Sequence, residues 1–474
     1  MQGGRTRSLA RLALAAACGA LVLLGCQGGS SDDSTRLVLL LSVDTLRADR
    51  LGAHGGPAGL TPELDALAAR SLVFTAAYAP ASHTLPSVAA LLTGRYPQEL
   101  GVTGNLSKLP EESVTLARRF REAGWNTAAV VSNWVLRRAS GAAAGFDRFD
   151  DALPQHEAAR PMPERTAQET TAAALAALSQ CLPTATERCF LWVHYQDPHG
   201  PYTPPPALRA QRLAIERERP DAEHRLPLLP GSFGTGGIPD YQVIDGHDDV
   251  AFYRAGYDAE IAYLDDAVGA LLRGLEARVP RAAAAVVFTS DHGESLGEQD
   301  VWFGHGERLG EAQVHVPLWF TLPGLAPGRR DDVASLLDVR PTLEARFLDA
   351  SDVPHTGRAL LAPGAGEASS TVYLATLQGS RQPRVGVIEG DFKYVATLRD
   401  ERNWDGRLTR RGDDAIDLTA PAPQIAARLR ARLEALIRTH DAAPGVEIEL
   451  DADDRERMRA LGYLDDGAEP RPGR

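Results

Sequence analysis

Three short stretches carry acids and histidines where chemistry could use them: SVDTLRADRLG around Asp44, QDPHGPY around His199, and SDHGESLGE around Asp291 and His292. Each closes an apolar, strand-like run. In open α/β sheets ligands gather outside the carboxyl ends of the strands, so polar residues that terminate such runs are weighed first. Asp44, Asp291 and His292 supply two carboxylates and one imidazole, a hard, oxygen-rich set suited to one divalent cation, Mn2+, Mg2+, Ca2+ or Zn2+. Any one of them alone would be read as a cap or turn former. The predicted metal site depends on all three reaching one sheet edge.

ASHTLPSVAALLTGRYP, from Ala81 to Pro97, reads as a loop running into a helix, with Pro86 favoured in the first helical turn. Thr84 then stands at a helix N-terminus. A hydroxyl there gains from the helix dipole, and from cation coordination as it becomes an alkoxide, so Thr84 is the expected nucleophile and fourth ligand. Without the other three residues, a plain helix cap would be the preferred role.

The elements that must position these residues alternate. Strand candidates RLVLLLSVD, TAAVVSN, FLWVHYQD, AAAVVFTSD and VPLWFTL are separated by ELDALAARSL, PSVAALLTG, VTLARRFREAG and AEIAYLDDAVGALLRGL, which carry apolar residues at helical spacing. The expected fold is α/β, with a mostly parallel sheet flanked by helices. The predicted core domain covers 37–350 and includes a Pro-, Gly- and charge-rich surface excursion at 203–248, a candidate substrate-facing lid. A smaller α+β subdomain, 351–474, would hold strands TVYLATL and RVGVIEGDFKYVATL and the helix PQIAARLRARLEALIR. No internal repeat is present.

With 474 residues and 44% hydrophobic content, the chain can bury a large core. A net charge of −13, with acids dispersed along the chain, argues against nucleic acid as a partner. The opening MQGGRTRSLARLALAAACGALVLLGC has early arginines, a short apolar run and small residues, as a secretory signal does. Its LVLLGC ending resembles a bacterial lipobox, which implies a signal peptide at 1–25, lipidation of Cys26 and a flexible tether at 26–36. The expected location is the cell envelope, lipid-anchored and extracytoplasmic, periplasmic or at the outer surface. Cys181 and Cys189 would remain in an oxidising compartment, either disulfide-bonded or as two separate thiols.

Taken in order, SVDTLRADRLG, SHTLPSVAALLTGRYP, HYQDPHGPY, TSDHGESLGE, FGHGE and VPLWF resemble the sulfatase family of the alkaline phosphatase superfamily, from about Leu37 to Leu322. The closing RERMRALGYL is similar to the tail of many bacterial members. The resemblance implies that Asp44, Asp291 and His292 bind one divalent metal, with Thr84 at the nucleophile position. It also implies that His199 and His305 contact the anionic group or the leaving group. Thr45 stands where many members have a second aspartate.

The departures bear on chemistry. Family sulfatases carry a cysteine followed by x-Pro-Ser-Arg, and that cysteine is oxidised to formylglycine; here the aligned residues are Thr84, Leu85, Pro86, Ser87 and Val88. Formylglycine cannot form at Thr84. The lysine and histidine usual in the family's G-K-W-H segment align with Asn133 and Val135, so the expected pocket has lost positive charge. A formylglycine hydrate expels sulfate by collapsing to the aldehyde, whereas a threonine ester must be attacked a second time, a step routine for phosphoryl-enzymes. The expected activity is therefore hydrolysis or transfer of phosphate or sulfate esters, with phosphoesters favoured. The expected substrate is an anionic ester, with a glycan or lipid head group among the carriers. The alternatives are a sulfuric ester hydrolase working without formylglycine, and a non-catalytic surface lipoprotein that binds an anion or glycan.

Overall fold

The computed structural model describes residues 34–153, 155–156, 163–349, 353–365, 371–376, 382–399, 404–440 and 443–460. The signal, lipobox and tether predictions, Cys26 included, fall largely outside them, as does the end of RERMRALGYL. No described helix is long and apolar enough to cross a membrane.

Every residue of the Leu37–Val43 strand is buried, because the strand lies at the centre of a large sheet with helices on both faces. Such strands read as continuous apolar runs. Across the sheet the order is Gly328–Arg330, Leu72–Tyr78, His315–Thr321, Ala284–Ser290, Leu37–Val43, Cys189–Tyr195, Asn126–Val131 and Arg148–Asp150. The strands from Ala284 to Arg148 in this order are parallel. His315–Thr321 runs antiparallel to both of its neighbours. The sheet is thus mostly parallel with one reversed strand.

Two sequence-based assignments need correction. ELDALAARSL was read as one helix, but the helix covers Pro62–Ala68, and the strand Leu72–Tyr78, which the reading missed, follows it. The alanines of LVFTAAY tolerate either state; pairing with His315–Thr321 selects the strand. RVGVIEGDFKYVATL is a hairpin, Arg384–Glu389 and Phe392–Leu398, reversing at Gly390 with φ 58°. These strands join Thr371–Thr376 and the unanticipated Trp404–Arg410 in a four-stranded antiparallel sheet packed against the helix Pro423–Thr439.

The 203–248 excursion is only partly on the surface. Its helix, Pro206–Glu216, lies along the long helix Val250–Glu276. The later part turns inward: Ile238 and Gln242 are fully buried, and the Tyr241 hydroxyl donates to the Phe303 carbonyl at 2.9 Å. Apolar and ring residues within the stretch are what draw it inward, against its overall Pro/Gly/charge composition.

Candidate active site

Asp44 follows the first strand, and its backbone N–H donates to the Tyr195 carbonyl at 3.0 Å. Asp291 follows Ala284–Ser290, and its N–H donates to Val43 O at 3.1 Å. Parallel pairing in register, with Val43 opposite both Ser290 and Tyr195, therefore sets the two acids side by side at one sheet edge. His292 comes one residue later. All three are fully buried.

The hydrogen bonds leave one open oxygen on each acid. Asp291 Oδ1 accepts from the N–H groups of Thr45 at 3.2 Å and His292 at 2.7 Å, while Oδ2 has no partner. Asp44 Oδ2 accepts from the Asn133 amide, and Oδ1 has none. His292 Nδ1–H donates to the Gly293 carbonyl at 3.0 Å, which leaves Nε2 as a lone pair. That nitrogen lies 3.8 Å from Asp44 Oδ1, 3.6 Å from Asp291 Oδ2 and 3.4 Å from Thr84 Oγ1. Buried polar atoms without partners are costly, and a shared cation would satisfy all of these at once.

Electrostatics favour the same occupant. Burial opposes charge on Asp44, yet the imidazoles of His199, His194 and His292 around it hold its carboxyl well below the usual range. Asp291 is pushed up by burial and by the charge of Asp44. His292 is pushed down to about 3 by burial and by His305, and His305 to about 4 by burial. At neutral pH both imidazoles are uncharged and able to use a lone pair.

Thr84 is the first residue of the helix Thr84–Thr93, so the helix begins at Thr84 rather than after it. His83 precedes the helix without capping it by its side chain, and Thr84 does not serve as a cap either. The Leu85 N–H is held by Asn105 Oδ1 at 2.9 Å, and Ser87 Oγ donates to Ala81 O at 2.8 Å. These contacts fix the turn, and the Thr84 hydroxyl is left facing His292.

His199 and His305 also converge here. Their ring centroids are 5.2 Å apart, and the His305 ring lies 4.6 Å from that of His292. His199 Nδ1 is 2.7 Å from Gly200 O, and His305 Nδ1 is 3.3 Å from Glu294 Oε1, so each ring is oriented through one nitrogen. Burial pushes Glu294 up to about 8.

Sequence reasoning missed three participants. His194 is fully buried, 3.7 Å from Asp44 Oδ2 through Nε2, and its ligand atom joins those of Asp44 and Asp291 in a group spanning at most 4.8 Å. Ser42 Oγ accepts from the Trp192 indole N–H at 2.9 Å and lies 2.8 Å from His194 Nδ1, so Ser42 and Trp192 set the His194 ring. His83, pushed down to about 3 by burial, and Glu294 are the others. His194 sits inside the strand-like FLWVHYQD, one residue short of the observed strand end at Tyr195, and that position was the available signal. Thr45 adopts φ 54°, a strained conformation for a β-branched residue, and its buried hydroxyl has no partner.

Other candidates are structural. Arg47 pairs bidentately with Asp49 at 2.8 and 2.6 Å, and Arg95 reaches Glu99 at 3.4 Å. Val135 is core, as are Trp134 and Trp192. Cys181 and Cys189 form a disulfide, with Cα atoms 5.7 Å apart, joining the helix Ala167–Cys181 to the strand Cys189–Tyr195. A cavity of about 460 Å3 is lined by Arg47, Asp49, Glu298, Glu311 and their neighbours, and none of Asp44, Thr84, Asp291 or His292 lines it.

Residues 36–347 match the family model described as Sulfatase. The chain is 27% identical over 415 residues to a choline-sulfatase of Rhizobium meliloti, covering 76% of this chain and 77% of that protein. It is 31% identical over 336 residues to the arylsulfatase A of Bos taurus, covering 65% of this chain and 63% of that one. Among solved structures, a phosphonate monoester hydrolase of Agrobacterium radiobacter superposes with a TM-score of 0.65 at 21% identity, covering 85% of this chain and 96% of that one.

Proposed function

Because the chain belongs to the sulfatase family, we propose that it is an ester hydrolase or transferase acting through Thr84 on phosphate or sulfate esters, phosphoesters favoured. The observation that carries this reading is the Thr84 hydroxyl at a helix N-terminus, 3.4 Å from His292 Nε2 and beside two buried carboxylates with open oxygens.

Asp44, Asp291, His292 and Thr84 would hold one divalent cation, with His194 within reach. When bound, that cation would lower the pKa of Thr84 and draw electron density from the anion. Thr84 Oγ forms its bond to phosphorus as the bond to the leaving alcohol breaks, in line. Oriented through their Nδ1 atoms, His199 and His305 present Nε2 as the acceptor for the Thr84 proton, and the imidazolium so formed donates to a non-bridging oxygen and passes the proton to the departing alkoxide. A second attack, by water or an acceptor alcohol, frees the threonine. Burial of Asp44, Thr84, His199, Asp291 and His292 strengthens these interactions.

Absence of a cysteine at position 84 supports phosphate over sulfate, since threonine cannot release sulfate by collapse to an aldehyde. Sulfuric ester hydrolysis is the second reading, favoured by the two curated relatives, which are named as sulfatases. Parallel assays of aryl phosphodiester, aryl phosphate and aryl sulfate with Mn2+ decide between them. An added mass of about 80 Da on the Thr84 peptide fits either a phosphate monoester or a sulfate ester, whereas a phosphodiester leaves its second substituent on the adduct, so the adduct is assigned by its accurate mass. Full activity in Thr84→Ala would sink the nucleophile assignment. The lipobox-like LVLLGC supports an extracytoplasmic, lipid-anchored location, tested by metabolic labelling with a fatty acid in wild type and Cys26→Ala.

A further inference from the structure

Beyond His305 the chain continues through Glu307 and Arg308 along the C-terminal sheet, where a groove of about 350 Å3 opens. Arg308, Arg384, Lys393 and Arg407 line it. Lys393 is neutralised by Glu311 at 2.7 Å and Asp414 at 2.5 Å, and Arg407 lies 3.7 Å from Asp417. Arg308 and Arg384 form no ion pair among the described residues. Instead both guanidinium groups donate through NH1 to one acceptor, the Glu307 carbonyl, Arg308 at 3.3 Å.

Two like charges converging on one carbonyl oxygen repel each other, and burial compounds the cost; Arg384 is only 9% exposed and is pushed down to about 10 by burial and by Arg308, against a smaller opposing pull from the Glu307 carboxylate. Remaining donors of Arg384 go partly to Gln382, through its carbonyl at 3.2 Å and its side chain at 3.1 Å. Such a pair is completed by an oxyanion that accepts from two forks. The location ties it to the catalytic centre. Gly306 packs so closely on His83 that a Cβ there would lie 2.7 Å from His83 Nε2, and His83 directly precedes Thr84. Arg384 itself begins a strand paired with Thr371–Thr376, whose Ala375 N–H donates to Pro80 O at 2.9 Å.

We propose that Arg308 and Arg384 form a second anion subsite that takes a sulfate, phosphate or carboxylate group of the substrate other than the one being cleaved. The substrate class is then a polyanionic ester, with at least two acidic groups on one carrier. This rests on the ester-cleaving reading of Thr84, and the two are tested separately.

Equilibrium dialysis of the full-length, detergent-solubilised protein with radiolabelled inorganic sulfate reads the subsite without turnover. Wild type and Thr84→Ala are expected to bind at the arginine pair, and R308A/R384Q to lose one sulfate per chain; an unchanged stoichiometry overturns the proposal. The second readout is the ratio of kcat/KM for a disulfated disaccharide, or its phosphate counterpart, to that for a mono-anionic aryl ester. It should fall roughly tenfold or more in R308A and recover in R308K, in keeping with the loss of one charge-assisted contact. Equal losses on both substrates, or none, overturn the proposal. Failure of Thr84→Ala to lose activity would remove the nucleophile reading and leave the dialysis result standing.

Discussion

The strands Leu37–Val43, Cys189–Tyr195 and Ala284–Ser290 run side by side, and their two ends are built on opposite terms. At the amino ends most polar groups are paired, the buried Thr35 hydroxyl being an exception. Arg36 N–H donates to Ala283 O at 2.8 Å, Cys189 N–H to Arg36 O at 2.8 Å, and the Arg36 guanidinium to Thr184 O at 2.8 Å and Glu187 O at 3.3 Å. The Cys181–Cys189 disulfide and the Asn126 amide, which donates to Cys181 O at 2.8 Å, complete that rim. At the carboxyl ends Asp44, His194 and Asp291 each keep a fully buried polar atom without a partner, and Thr45 is strained. One sheet thus carries stability at one rim and unspent binding capacity at the other, which is the division expected where ligands bind outside strand carboxyl ends.

The sharpest way to break this comparison is to remove chemistry from the open rim alone. Thr84→Ala should lower kcat by at least about 10^3-fold while circular dichroism and melting stay near wild type. A large loss of stability instead would mean that the threonine is structural. The converse acts on the paired rim: Cys181→Ser with Cys189→Ser should cost roughly 2–3 kcal/mol by denaturant unfolding, as expected for a short closed loop, and leave kcat unchanged. A fall in kcat at temperatures where the variant is folded would show that the two rims are coupled.

A smaller effect probes the support of the open rim. Ser42→Ala releases the His194 ring and should weaken divalent cation binding about tenfold, read by titration with Mn2+. Unchanged affinity would assign His194 to a donor role toward Asp44. The smallest effect is a pH slope in the metal-stripped protein. Folding pushes Glu294 up to about 8 from an ordinary 4.5, so its contribution is fully present below about pH 4.5 and is lost as pH rises toward 8. Asp291, pushed up by burial and by Asp44, acts in the same direction. Below about pH 6.5 the depressed imidazoles of His83, His292 and His305 act in the opposite direction, so the melting temperature should fall as pH rises from about 6.5 toward 8, and Mn2+ should flatten that slope by rewarding the ionised acids. A slope of opposite sign would contradict the burial of these carboxyls.

Much of the open rim was legible beforehand, because apolar runs that end in acids announce both the strand and its functional end. Asp44, Asp291, His292, Thr84, His199 and His305 all converge in space as their segments implied. What was not legible followed from tertiary pairing. Leu72–Tyr78 is a strand only because His315–Thr321 lies beside it, and 203–248 turns inward because Leu226 and Ile238 join the apolar core and the Tyr241 hydroxyl finds the Phe303 carbonyl.

By itself, then, the sequence determined most of the alternation of strands and helices, the family to which the chain belongs, and the threonine at position 84. Periodicity and residue type report local backbone state and burial, and those are local properties. Only the tertiary structure decided which oxygens of Asp44 and Asp291 stay open, that His194 joins them, and that Arg308 and Arg384 meet at one carbonyl. Such meetings depend on strand register and on the packing of segments far apart in the chain, and no local pattern records them.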